Sequence, residues 1–164
     1  SMAEGGEFPQ HEEAVFVRSV GEHGVLTAQG GGKDCYTTLE FKANEGGLHQ
    51  QWLFQPSLTA GTLHIVPKHV AEKCLHTHYA RFHPGNNLII HREGRSEQQV
   101  NTKFIAEYDA KFGGWCFGVW NHPLLYLNAH PGLGLVLGAK DSSAFFFFEP
   151  VERDGGPGLT KAAR

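Results

Sequence analysis

An all-β fold of twelve short strands, arranged as three similar units, is what this sequence predicts, and three observations predict it. The 164 residues are rich in glycine (21) and phenylalanine (12), while charged residues make up only 19 %. Frequent turns and aromatic side chains suit short strands better than a helical bundle. Apolar and polar residues alternate over short runs, the period-two pattern of half-buried strands. Related patterns recur roughly forty to fifty residues apart, a spacing at which self-similarity marks repeated architecture. No helical period of useful length competes, because Gly and Pro interrupt the chain too often.

The elements follow in order. Residues 1–13 are Gly- and Glu-rich without an apolar period; they are expected to be a flexible lead, with Ser1-Met2 resembling the scar of a removed tag. In the first unit, strands are expected at residues 15–17, 25–28, 37–42 and 51–55. Leu39 and Phe41 share one face of the third, and Trp52 and Phe54 one face of the fourth. The second unit repeats the pattern at residues 62–66, 73–79, 88–91 and 102–107, and the third at 115–119, 125–129, 135–138 and 144–149. Corresponding anchors are Leu26, Leu75 and Leu127 on the second strands, and Trp52, Phe104 and Phe145 on the fourth. The run Phe145–Phe148 places core on one face and aromatics at the barrel bottom on the other.

Four strands per unit allow two closed architectures, propeller blades or one barrel capped by hairpins. Three units of this length are too few for a propeller, so the expected fold is a β-trefoil, a single domain over residues 14–151. Residues 152–164 are too polar and Gly-rich to pack and are expected to form a flexible tail.

A formal charge of -3 and a pI near 6.4 argue against broad attraction to nucleic acid or membrane surfaces. The sequence shows no apolar run long enough for a membrane span. Cys35, Cys74 and Cys116 cannot all pair with one another and show no CxxC spacing, which suits a reducing, cytoplasmic setting.

One stretch concentrates chemistry. Residues 74–93 read CLHTHYARFHPGNNLIIHRE, placing His76, His78, His83, His91 and Glu93 around a Pro-Gly-Asn-Asn turn. Antiparallel strands on either side bring His76 or His78 near His91. A glycan site needs hydrogen-bonding groups for sugar hydroxyls and a flat apolar surface beneath the ring. His76, His78, His91, Glu93 and Asn87 are candidates for the first, and Tyr79 or Phe82 for the second. The competing interpretation is that these histidines satisfy backbone groups of the hairpin.

His76-x-His78 also has a spacing compatible with metal binding, but a turn of Gly and Asn does not fix the geometry a metal requires. No metal or cofactor is expected. No cysteine has a nucleophile context and no second carboxylate opposes Glu93, so no catalytic residues are expected and the protein is not expected to be an enzyme.

These residues resemble those of known trefoil families. Val25-Leu26-Thr27-Ala28 followed by Gln50-Gln51-Trp52 is similar to a fascin repeat, and the Gln50–Trp52 segment also resembles the Gln-x-Trp signature of ricin B-type lectins. In the second unit, Leu75-His76, Pro84-Gly85-Asn86-Asn87 and Ile90-His91-x-Glu93 resemble a repeat of the mussel galactose-binding trefoil lectins. Those lectins hold sugar with a histidine after the second strand and a His-x-Asp pair after the third. Here Glu93 stands for the Asp and Arg95 for a further His, and the first and third units lack the pair. The resemblance implies a non-catalytic module that binds a galactose-type glycan through one degenerate site. The fascin likeness implies the alternative, an actin-binding or other protein-interaction domain.

Overall fold

The computed structural model describes residues 7–21, 24–92 and 99–152. Among them run twelve strands, four per unit. The first unit holds β1 (Val15–Ser19), β2 (Val25–Ala28), β3 (Thr37–Lys42) and β4 (Trp52–Pro56). The second holds β5 (Leu63–Pro67), β6 (Lys73–Thr77), β7 (Leu88–Arg92) and β8 (Phe104–Asp109). The third holds β9 (Gly114–Val119), β10 (His122–His130), β11 (Gly134–Gly138) and β12 (Phe146–Pro150).

Pairing closes the first and fourth strands of each unit into a six-stranded ring. β1 pairs with β4, β4 with β5, β5 with β8, β8 with β9, β9 with β12, and β12 with β1. The second and third strands form hairpins β2–β3, β6–β7 and β10–β11, which cap one end of the barrel. The caps touch each other through β3 and β7, which pair at Thr37–Ile90 and Thr38–Ile89, and through a bridge between Asn87 and Val136. This is a β-trefoil.

The anchors converge as threefold closure requires. Val17, Ile65 and Phe117 from the first strands and Leu26, Leu75 and Leu127 from the second line one internal cavity of about 10 Å³, no more than one water-sized probe. Each such buried side chain contributes roughly 1.5–3 kcal/mol.

One anchor needs correction. The residue equivalent to Trp52 and Phe104 is Phe146, not Phe145, because Trp52 opposes Val15, Phe104 opposes Leu63 and Phe146 opposes Trp115. A one-residue slip exchanges the faces of a strand. Phe146 and Phe148 therefore enter the main core and Phe147 faces outward, while Phe145 packs in a separate cluster with Cys116 and Ala144.

Two further expectations change. The strand drawn through residues 73–79 stops at Thr77, and His78–Ala80 forms a 3-10 turn instead. The N-terminal lead is also attached from Phe8 onward. Its ring meets Phe54, Trp115 and Phe148 edge-on at 5.2, 5.0 and 5.5 Å, where Ala106 leaves the β8 wall without a large side chain.

Candidate functional site

The β6–β7 hairpin sets Cys74 opposite His91 and His76 opposite Ile89, which leaves the His76 and His91 rings 5.2 Å apart. They share the wall of an open cleft of about 380 Å³ with Thr77, Tyr79, Ile89 and Arg92. Tyr36 enters from the neighbouring β2–β3 hairpin, and Gln99 and Asn101 from the chain leading into β8.

His76 is a structural tie. It is buried, its Nε2–H donates to Arg92 O at 2.7 Å, and its Nδ1 accepts from Asn101 Nδ2 at 3.2 Å. Burial lowers its pKa to about 4, with the neighbouring His91 adding to the effect, so the ring is neutral near pH 7. Pseudo-symmetry confirms the role. The strand registers make Thr27 and Asn128 the counterparts of His76, and Ala43 and Ala139 the counterparts of Arg92. Asn128 Nδ2 donates to Ala139 O at 3.0 Å, and Gln50 Nε2 donates to Ala43 O at 2.9 Å and to Thr27 Oγ1 at 3.2 Å. Every unit thus pins the same carbonyl with a different side chain. The Gln50–Trp52 signature is spent in the same way: Gln50 is fully buried and Trp52 Nε1 donates to Leu26 O at 2.8 Å.

Both exposed aromatics of the cleft stand on left-handed backbone. Tyr36 has φ +73° and Tyr79 φ +54°, a conformation that costs a bulky residue roughly 1–3 kcal/mol. Their counterparts show what fold alone would select. Three residues before Leu39, Leu88 and Leu135, which oppose Ala28, Thr77 and Ala129, stand Tyr36, Gly85 and Gly132. Gly85 and Gly132 have φ +89° and +84°. Two residues after Ala28 and Thr77 stand Gly30, with φ +64°, and Tyr79. At the Tyr36 position both counterparts are glycine, while at the Tyr79 position the first unit has Gly30 and the third has Pro131; only this cleft has tyrosine. Their rings lie 5.9 Å apart, with Tyr36 also edge-on to His91 at 4.9 Å.

Hydrogen bonds hold the polar wall. His91 Nδ1 accepts from Arg92 N at 2.8 Å, which places the proton of the neutral ring on Nε2, and Nε2 has no partner among the described residues. Gln99 Nε2 donates to Asn101 Oδ1 at 3.1 Å, and Thr77 N donates to Asn101 O at 2.8 Å. Thr77 Oγ1 is buried without a hydrogen-bond partner.

The structure thus brings together His76, Tyr79 and His91 and separates the other candidates. His78 leaves the strand and does not line the cleft, stacking on Tyr79 at 4.3 Å and meeting Tyr36 edge-on at 5.8 Å, because the 3-10 turn rotates it off the face it shares with His76 in an extended chain. Phe82 stacks on His122 at 3.9 Å. Asn87 faces a different cleft of about 380 Å³, together with Gln29, Thr38, Glu40 and His130, because the register that pairs Thr77 with Leu88 carries it past the turn. Glu93 and Arg95 lie outside the described residues. Tyr36, Arg92, Gln99 and Asn101 were not among the residues the sequence marked. Tyr36 reaches the site only through the β3–β7 pairing between units, for which a reading of each unit alone has no signal.

The described residues hold no group of three or more His, Cys, Asp or Glu side chains placed to bind a metal ion. Cys35, Cys74 and Cys116 form no disulfide with one another, and burial pushes the Cys116 thiol pKa up.

No protein-family model and no curated protein matches this sequence. Solved structures do. A designed threefold-symmetric protein, ThreeFoil, aligns with TM-score 0.69 and 16 % identity over 85 % of this chain and 99 % of its own. The Rhizoctonia solani agglutinin aligns with TM-score 0.71 and 13 % identity over 88 % and 99 %. The C-half of an earthworm R-type lectin, solved in complex with GalNAc, aligns with TM-score 0.59 and 12 % identity over 84 % and 98 %. Other matches lie within a galactanase, an endo-β-galactosidase and a mosquitocidal holotoxin. At such identities the likeness establishes the trefoil fold.

Proposed function

We propose that this trefoil is a non-catalytic module that binds a galactose-type glycan in the cleft of its second unit. The observation that carries the proposal is the pair of exposed tyrosines, Tyr36 and Tyr79, held on left-handed backbone where both counterparts of Tyr36 and the first-unit counterpart of Tyr79 are glycine. Two such rings beside a cleft offer the C–H face of a pyranose an apolar platform at the expense of local strain. His91 Nε2–H, the Tyr hydroxyls and Gln99 are placed to engage sugar hydroxyls. His76 acts behind them by fixing Arg92 and Asn101. Sugar-binding proteins among the structural neighbours support the same direction, as does the likeness of the second unit to galactose-binding trefoils. Cysteines that form no disulfide with one another suit a cytoplasmic setting.

A single open site implies weak binding, about millimolar to micromolar for a monosaccharide, since each hydrogen bond adds only about 0.5–1.5 kcal/mol. A glycan array is expected to give signal on galactose- or GalNAc-terminated glycans, reduced at least tenfold by Tyr79→Ala or His91→Ala. A blank array beside cosedimentation with actin would transfer the case to the fascin-like alternative.

A further inference from the structure

Resting on the glycan reading, we infer that the cleft selects a sugar bearing an anionic group, a carboxylate or a sulfate. Among the described residues that line it, none is acidic, and Arg92 is exposed at its rim. The Arg92 backbone is fixed on both sides, its carbonyl held by His76 Nε2–H and its N–H by His91 Nδ1. Its guanidinium makes no ion pair with any described residue. A second cation, Arg81, lies over the Tyr79 ring, 5.2 Å from its centroid, though it does not itself line the cleft.

The donor and acceptor inventory agrees. Arg92 brings five N–H donors and no acceptor, and His91 offers Nε2–H. Asn101 Oδ1 already accepts from Gln99, and both acceptor positions of His76 and His91 are occupied. A neutral sugar, whose hydroxyls must also donate, has the Gln99 side-chain oxygen and the Tyr36 and Tyr79 hydroxyls as acceptors, none of them charged. A carboxylate or sulfate needs donors only, and planar guanidinium meets either in bidentate fashion. A second cleft of about the same volume, lined by Gln29, Thr38, Glu40, Asn87 and His130 among others, presents Glu40 and no lysine or arginine. The anion preference is therefore local to the tyrosine-lined cleft and does not follow from the overall charge, which is -3.

The test is titration of the full chain at low and high salt with galactose, galactose 6-sulfate, galacturonate and inorganic sulfate. At least one charged sugar is expected to bind five- to tenfold more tightly than galactose in 20 mM salt, and the one that gains identifies the anion. The advantage is expected to shrink below about threefold at 0.5 M, where charges are screened beyond a few ångströms. Arg92→Gln is expected to bring charged and neutral sugars to similar affinity, with the melting temperature unchanged because the side chain is exposed. Equal binding of galactose and its charged derivatives would overturn the anion inference and leave the glycan site standing. Inorganic sulfate matching the sulfated sugar would also overturn it, by showing a bare anion site. No binding by any sugar would overturn both.

Discussion

Tyr79 spends local backbone stability on an exposed ring, and nothing in the barrel needs it there. Replacing Tyr79 or Tyr36 by glycine is expected to stabilise the fold by about 1 kcal/mol, or about 2–4 °C in melting temperature, through relief of the left-handed strain. The same variants are expected to lose glycan binding. Thermal melts and titrations of the pair decide this, and a destabilised variant that still binds would remove the functional reason for the tyrosines. His76 behaves in the opposite way. His76→Ala leaves Arg92 O and the Asn101 amide without their partner and is expected to cost about 1–3 kcal/mol. His76→Asn, which copies the Asn128 tie of the third unit, is expected to restore at least half. Because the folded pKa of His76 is about 4, below its ordinary 6.5, the unfolded chain binds its proton more readily between those values. Its contribution is complete above pH 6.5 and is lost as pH falls toward 4, amounting to up to about 3 kcal/mol. Melting curves across that window should be steeper for the native chain than for His76→Asn, and parallel curves would contradict the assignment.

At the scale of the element, alternation decides what a substitution costs. On β12, Phe146→Ala is expected to destabilise by about 3–5 kcal/mol, and Phe147→Ala by under about 0.5 kcal/mol, since one fills the core and the other is 44 % exposed. Denaturant unfolding of both variants tests the register, and comparable losses would mean that the strand is misplaced. The period-two pattern made the strands legible, and hydrophobic spacing placed Leu26, Leu75 and Leu127 on the axis before any coordinates. It failed at Phe145, where four consecutive phenylalanines carry no alternation from which to choose a face. It also failed at His78, because the turn after β6 uses left-handed tyrosine and alanine instead of the glycines that announce the equivalent turn after β2. The histidine count points to the hairpin that lines the tyrosine cleft, where His76 is a tie and the aromatic Tyr36 is a neighbour the count does not mark. Contacts between units depend on threefold closure, and local sequence does not encode them.

For the molecule as a whole, three nearly equivalent units divide their labour unequally. The buried positions stay close to symmetric, because each unit must supply the same hub to close the barrel. The cap positions diverge: one cleft acquired two strained tyrosines and an arginine, another kept glycines and a glutamate. Barrel symmetry also fails at Ala106, the counterpart of Phe54 and Phe148, and Phe8 from the N-terminal segment packs against those two phenylalanines. The fold therefore repeats its barrel unit three times, while the described surface clefts differ in their side chains, and the proposed glycan site belongs to the one that carries the tyrosines. The most direct measurement is amide chemical-shift mapping of the chain titrated with a galactoside. Saturable shifts confined to the neighbourhood of Tyr36, Tyr79, His91 and Asn101 are the expected result. Shifts centred instead on Glu40 and His130, or none at ligand concentrations of tens of millimolar, would contradict the account.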